Sequence, residues 1–131
     1  MVERSKETKI IQCDGMPIYA YSSSRLIPLY KVAHECGYRL DKLCSVLEIS
    51  TRHFRRLFTD TIGVCPKKWL KSERMVYARN LLRGGYPIKE VSERLGFGNQ
   101  KEFNREFREF YAISPSSYRA QETERVLEKL R

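Results

Sequence analysis

The sequence predicts an all-α protein of about seven helices, with two matched units flanking a long linker helix and a short β-hairpin arm in front. Three observations predict it. A pattern is written twice, 49 residues apart. The first copy is Phe54-Arg55-Arg56-Leu57-Phe58, five residues, Val64-Cys65-Pro66, two residues, Trp69; the second is Phe103-Asn104-Arg105-Glu106-Phe107, five residues, Ile113-Ser114-Pro115, two residues, Tyr118. A matching apolar segment precedes each copy, Leu40 to Leu47 and Ile88 to Leu95. Between the copies, an 18-residue stretch opens at Pro66 and stops at Gly84-Gly85. A duplicated unit with an Arg at the same place in each copy offers two similar surfaces to a repetitive ligand. Duplex DNA, repeating every ~34 Å, is the obvious candidate.

The elements follow in order. Residues 1–9 are polar and expected to fray. Ile10 to Cys13 and Ile18 to Tyr21, around Asp14-Gly15-Met16-Pro17, read as two strands and a turn, and a hairpin this short must pack on something. Ser22-Ser23-Ser24 makes a hinge-like break. Helix one is expected over about Leu26 to Cys36, with Leu29, Val32, Ala33 and Cys36 on one face and Gly37 as its stop. Helix two spans about Leu40 to Leu47, buried through Leu40, Leu43, Val46 and Leu47. Ser50 can cap helix three, Thr51 to about Thr61. Helix four starts at Pro66, a residue suited to a first helical position, and reaches about Arg83. At 1.5 Å per residue it spans ~27 Å, enough to hold two small units apart. Helix five covers about Ile88 to Leu95, helix six about Asn99 to Tyr111, and a last helix follows Ser114-Pro115 towards Leu130. The chain divides accordingly into an arm over 1–28 and a helical domain over 29–131. Within that domain the first unit is about 29–65, the linker 66–83, the second unit about 86–119, and the tail 120–131.

Composition narrows the function. The 131 residues carry 25 Lys+Arg against 16 Asp+Glu, a net +9, and nearly all the excess falls after residue 28, which invites a polyanion. No apolar run approaches the ~20 residues of a membrane span. The four cysteines, at 13, 36, 44 and 65, form no Cys-x-x-Cys pair. That spacing argues against zinc and for free thiols in a reducing compartment.

Placing residues at ~100° per position separates the helix faces. On helix three, Phe54, Leu57 and Phe58 cluster, while Arg52, Arg56 and Thr59 lie opposite and Arg55 flanks them. On helix six the stripe is Phe103, Phe107 and Phe110. Lys101, Arg105 and Arg108 point away from it, flanked by Asn104 and by Gln100, the least outward of the set. Arg can bond guanine O6 and N7 together, and Asn or Gln can do the same with adenine N6 and N7. A short helix behind each basic helix makes a helix-turn-helix, whose second helix enters the groove. The phenylalanine pairs are core, not base-stacking platforms.

Residues 29–119 resemble the DNA-binding domain of the AraC/XylS family of bacterial transcription regulators. The resemblance is carried by Arg74-Met75-Val76-Tyr77-Ala78-Arg79-Asn80-Leu81-Leu82, then Ile88-Lys89-Glu90-Val91-Ser92, Leu95-Gly96-Phe97, Phe103, Phe107, Pro115 and Tyr118-Arg119. It implies seven helices, with recognition helices in successive major grooves on one DNA face. It also implies base contacts from Arg52, Arg55, Arg56, Gln100, Lys101, Asn104 and Arg105. Bacterial cytoplasm, at the nucleoid, is the implied location, and RNA polymerase an implied second partner. Two departures stand out. Glu48 replaces the Gly often found in the first turn, which puts the entry of helix three in question, and Gly98 replaces a polar residue before helix six.

Other classes fit less well. The only histidines are His34 and His53, there is no phosphate loop or nucleophile elbow, and Cys13 is the arm's only cysteine. No enzymatic activity, cofactor or metal is therefore expected. The alternative is a protein-interaction adaptor that keeps the fold without reading DNA, using the arm or Val126, Leu127 and Leu130 of the tail. Residues 1–28 are too short for a sensor domain, so the chain is expected to be either a stand-alone regulator or a piece of a longer one. Only the Arg56/Arg105 position is shared between the two faces, so the expected target is asymmetric.

Overall fold

A computed structural model of the chain describes residues 8–22 and 25–130. The order is β1 (Lys9–Cys13), β2 (Met16–Ser22), β3 (Arg25–Pro28), α1 (Leu29–Glu35), α2 (Leu40–Leu47), α3 (Thr51–Ile62), α4 (Pro66–Arg83), α5 (Ile88–Arg94), α6 (Gln100–Tyr111) and α7 (Pro115–Lys129). Among the described residues seven helices form as expected, together with a small antiparallel sheet in the order β1-β2-β3.

The arm is where the fold departs from expectation. The hairpin gains a third strand from residues that the helical pattern assigned to the start of α1. Pro28 explains the change: it takes an extended conformation (φ −64°, ψ 121°) at the helix N-cap. The residue before a proline is biased away from helical geometry. Helix α1 therefore opens at Leu29, and Leu26 and Ile27 pair with Ala20 and Tyr19 of β2. Ser22 closes β2; Ser23 and Ser24 of the expected hinge, and residues 1–7 of the expected polar tail, lie outside the described residues.

The chain falls into two compact units, residues 1–73 and 74–131. The first has a core of Leu29, Val32, Ala33, Leu43, Leu47, Phe54, Phe58 and Leu70, to which the sheet adds Ile10 and Tyr19. Each leucine, valine, isoleucine or phenylalanine among them, fully buried, contributes roughly 1.5–3 kcal/mol. The Thr61 hydroxyl of α3 donates to the carbonyl of Ile10 at 3.0 Å, tying β1 to that helix. Val46 is 62% exposed, contrary to expectation, while Cys44 is buried as a small hydrophobe. Leu40, Leu43, Cys44 and Leu47 complete a stripe at helical spacing, and Val46 lies beside it.

In the second unit Met75, Ala78, Leu81 and Leu82 of α4 are buried, as are Val91, Leu95, Phe103 and Phe107. Phe110, expected in the stripe, is 42% exposed. Tyr111 takes that role, since four-residue spacing from Phe107 brings its ring centroid to 4.7 Å and its hydroxyl onto the carbonyl of Met75 at 3.0 Å.

Candidate nucleic-acid interface

Each unit presents one basic helix through the same backbone device. At the end of α2, the N–H of Glu48 bonds the carbonyl of Ser45 (3.1 Å) and that of Ile49 bonds Cys44 (3.0 Å). At the end of α5, Gly96 bonds Glu93 (3.0 Å) and Phe97 bonds Ser92 (3.1 Å). Both are paired closures with a left-handed residue at the turn, the arrangement in which a helix ends on glycine. Glu48 occupies that position at φ 56° and Gly96 at φ 79°. The departure at Glu48 thus leaves the hydrogen bonding unchanged, and a non-glycine residue carries the strain of a left-handed backbone.

The next helices are capped alike. Ser50 Oγ accepts the N–H of His53 at 3.1 Å, and Asn99 Oδ1 accepts that of Glu102 at 2.9 Å. The two turns differ by one residue, because four positions separate Leu95 from Asn99 and three separate Leu47 from Ser50. Gly98 accompanies the longer turn, where the Ser92 hydroxyl bonds the carbonyl of Asn99 at 3.4 Å.

The expected readers separate by exposure. On α3, Arg52, Arg55 and Arg56 are all exposed, opposite the fully buried Phe54 and Phe58. On α6, Gln100, Lys101 and Arg105 are exposed and Asn104 is half-buried. Asn104 Oδ1 is buried with no hydrogen-bond partner. The order on this helix therefore differs from the angular expectation, which made Gln100 the least outward. Gln100 begins the helix, so no preceding turn shields it, whereas Asn104 lies mid-helix beside Phe103 and Phe107. His53, next to the α3 face, is half-buried.

Charge is left available on the outer faces of α3 and α6. Among the described residues, Arg52, Arg55, Arg56, Lys101 and Arg105 take part in no ion pair. The acidic side of α6 is put to other use: Glu106 lies 4.0 Å from Arg74, a residue of α4. Arg74 also donates twice to the carbonyl of Leu95, at 3.1 and 2.8 Å, and its guanidinium sits 3.7 Å from the centre of the Phe97 ring. It anchors the α5–α6 turn to α4. Charge patterning alone did not mark Arg74 for this role, because its partner is a backbone carbonyl 21 positions away. Arg119 similarly donates to the carbonyl of Tyr86.

His34 Nδ1 lies 3.1 Å from the Tyr38 hydroxyl, and no three His, Cys, Asp or Glu side chains among the described residues are grouped to hold a metal. All four cysteines are free, with Cys13 and Cys65 exposed and Cys36 and Cys44 buried. No helix among the described residues is long and apolar enough to cross a membrane.

Comparison with known proteins converges on one family. A family model described as a helix-turn-helix domain matches residues 43–121. Regulatory protein PocR of Salmonella typhimurium is 33% identical over 84 residues, 63% of this chain and 28% of that protein. The virulence regulon transcriptional activator VirF of Yersinia enterocolitica is 29% identical over 84 residues, 63% of this chain and 31% of that protein. This chain thus spans about a third of the length of these curated relatives. Among solved structures, the DNA-binding domain of AdpA, a global transcriptional factor captured with a target DNA, superposes with a TM-score of 0.64 at 31% identity. The match covers 75% of this chain and 95% of that one. A regulator with an AraC-type DNA-binding domain from Chromobacterium violaceum gives 0.62 at 24% identity over 72% and 88%, a likeness of fold alone.

Proposed function

The chain belongs to the AraC/XylS family of helix-turn-helix transcription regulators, and on that premise we propose that it binds duplex DNA sequence-specifically through α3 and α6. Each helix enters a successive segment of major groove on one face of the duplex. The observation that carries this is the equivalence of the two presentations, with the same paired closure, the same side-chain cap and free cations on the outer face. The AdpA domain, similar over most of this chain, was captured on its target DNA.

In this reading Arg52, Arg55 and Arg56 serve the first segment, with arginine forks suited to guanine. Gln100, Lys101 and Arg105 serve the second, where Lys101 supplies phosphate attraction rather than geometry. Asn104 must turn its buried Oδ1 outward before it can offer adenine both a donor and an acceptor, so it contributes less than Arg105. Unlike side chains on like scaffolds give an asymmetric target for each chain.

Selection of sites from random duplexes, followed by titration, tests the proposal. With about 6–10 phosphate contacts, affinity falls ~10³–10⁵-fold between about 50 and 200 mM salt. Arg56→Ala and Arg105→Ala each cost ~1–3 kcal/mol and relax specificity at one position. Uniform loss over all sequences reassigns that arginine to phosphate, and binding that ignores salt, or none at all, defeats the DNA reading in favour of an adaptor.

A further inference from the structure

The two basic helices are presented alike, but the charge around them is not. At the 49-residue offset of the repeat, residues 51–71 carry six bases and one acid, whereas the matching residues 100–120 carry four bases and three acids. Half of the six bases stand at the start of α4. Lys67, Lys68 and Lys71 fall within about 100° of one another on that helix, and all three are exposed. The opposite side of the same turns is packed: Pro66 and Leu70 are buried, and the Trp69 ring lies 5.3 Å from that of Phe58. That contact holds the lysine face at helix-packing distance from α3, about 8–10 Å. A charge in roughly 0.1 M salt reaches about as far.

Local energetics do not account for the three lysines. They sit at the end of α4 where the helix dipole is positive, which disfavours cations. Lys67 and Lys71 are four residues apart, and Lys68 and Lys71 three, spacings at which like charges weaken a helix. Among the described residues no carboxylate pairs with any of them. In the second unit the matching residues are Ser116, Ser117 and Ala120, and both serine hydroxyls lie within 3.3 Å of Ser114 Oγ. Arg119, the one base on those turns, is half-buried and donates to the carbonyl of Tyr86. The same scaffold is thus neutral in one copy and concentrates unpaired cations in the other, against their own repulsion. A polyanion relieves that repulsion.

We propose that Lys67, Lys68 and Lys71 form a phosphate-binding face for the duplex backbone flanking the segment that α3 reads, which makes the first unit the electrostatic anchor of the complex; this rests on the reading of α3 and α6 as DNA-binding helices. Lysine suits the task, since its point charge attracts phosphate with little demand on geometry. Phosphate contacts hold without selecting sequence, so the first unit grips and the less charged second unit discriminates. Raising the salt weakens the first unit's hold more than the second's.

Salt titration of the whole chain on its selected duplex tests this. In Lys67→Gln/Lys68→Gln/Lys71→Gln the slope of log K against log salt falls by about 2–3, near 0.9 for each lost contact, and affinity drops alike for all sequences. Without DNA the same variant keeps its circular dichroism spectrum and melts no lower than the wild type, because repulsion has been removed. Ser116→Lys/Ser117→Lys/Ala120→Lys, on the matching turns of α7, steepens the slope by a similar amount. A glutamine variant that keeps the wild-type slope overturns the proposal while the DNA reading stands. If that variant has instead lost the wild type's binding to a decaglutamate peptide, the face belongs to an acidic protein. A wild type that binds no duplex defeats the DNA reading itself, and the proposal with it.

Discussion

Arg74 shows how much one side chain can settle. Its guanidinium bonds the carbonyl that ends α5, faces a carboxylate of α6 and lies over an aromatic ring of the turn between them. Removing it orphans a carbonyl and deletes a cation–π contact, so Arg74→Ala is expected to cost about 2–4 kcal/mol in chemical denaturation. Arg74→Lys should recover little of this, because one ammonium cannot reproduce a two-pronged donor. Gly96 illustrates the opposite case. Nothing lies within 4 Å of where its Cβ would be, so Gly96→Ala meets only the backbone penalty of φ 79° and should cost ~1 kcal/mol. A cost several times larger would point to a packing role for that turn. Asn104 marks the limit of helical-wheel reasoning: its angle allows an outward side chain, but its carbonyl oxygen is buried.

At the scale of elements, legibility followed punctuation. Helix α4 was bounded in the sequence by Pro66 and Gly84, and α3 and α6 by the capping residues Ser50 and Asn99, because these residues act locally. The exposed basic faces of α3 and α6 were legible for the same reason, since a repeat and a 100° rotation need no tertiary information. Strand β3 was hidden, because its apolar residues run without a break into those of α1 and only pairing with β2 distinguishes them. Val46 and Phe110 were misplaced where a neighbouring residue, Cys44 or Tyr111, fills the core better. The element boundaries also divide the thiols. Burial, with Glu35 adding repulsion, pushes the Cys36 thiol up at the end of α1, and burial does the same to Cys44 within α2. A thiol-reactive dye should therefore modify Cys13 and Cys65 quickly at neutral pH, and the other two only on unfolding. Four equally fast thiols would contradict the packing of α1 and α2.

Taken whole, the molecule invests its sheet in the first unit. Ile10 is 4% and Tyr19 1% exposed within a core that also holds Leu29 and Phe58. Tyr19→Ala should cost ~3–5 kcal/mol, the usual loss for emptying a large aromatic site. Removing residues 1–28 should unfold the first unit while leaving the second intact, because their cores are separate. Hydrogen exchange of the shortened chain checks this: lost protection in α1 to α3 with retained protection in α5 to α7 is the expected outcome. Equal protection in both units would mean that the sheet is dispensable.

The bond from Thr61 to the carbonyl of Ile10 bears on protein engineering. A helical pattern invites a junction at Leu29 when this helix-turn-helix domain is grafted onto a sensor, yet such a cut would strip the whole three-stranded sheet from α3. Chimeras joined ahead of Thr8 keep the domain whole. Those joined at Leu29 would inherit an α3 without its support, and their failure to find a promoter would say nothing about the new sensor.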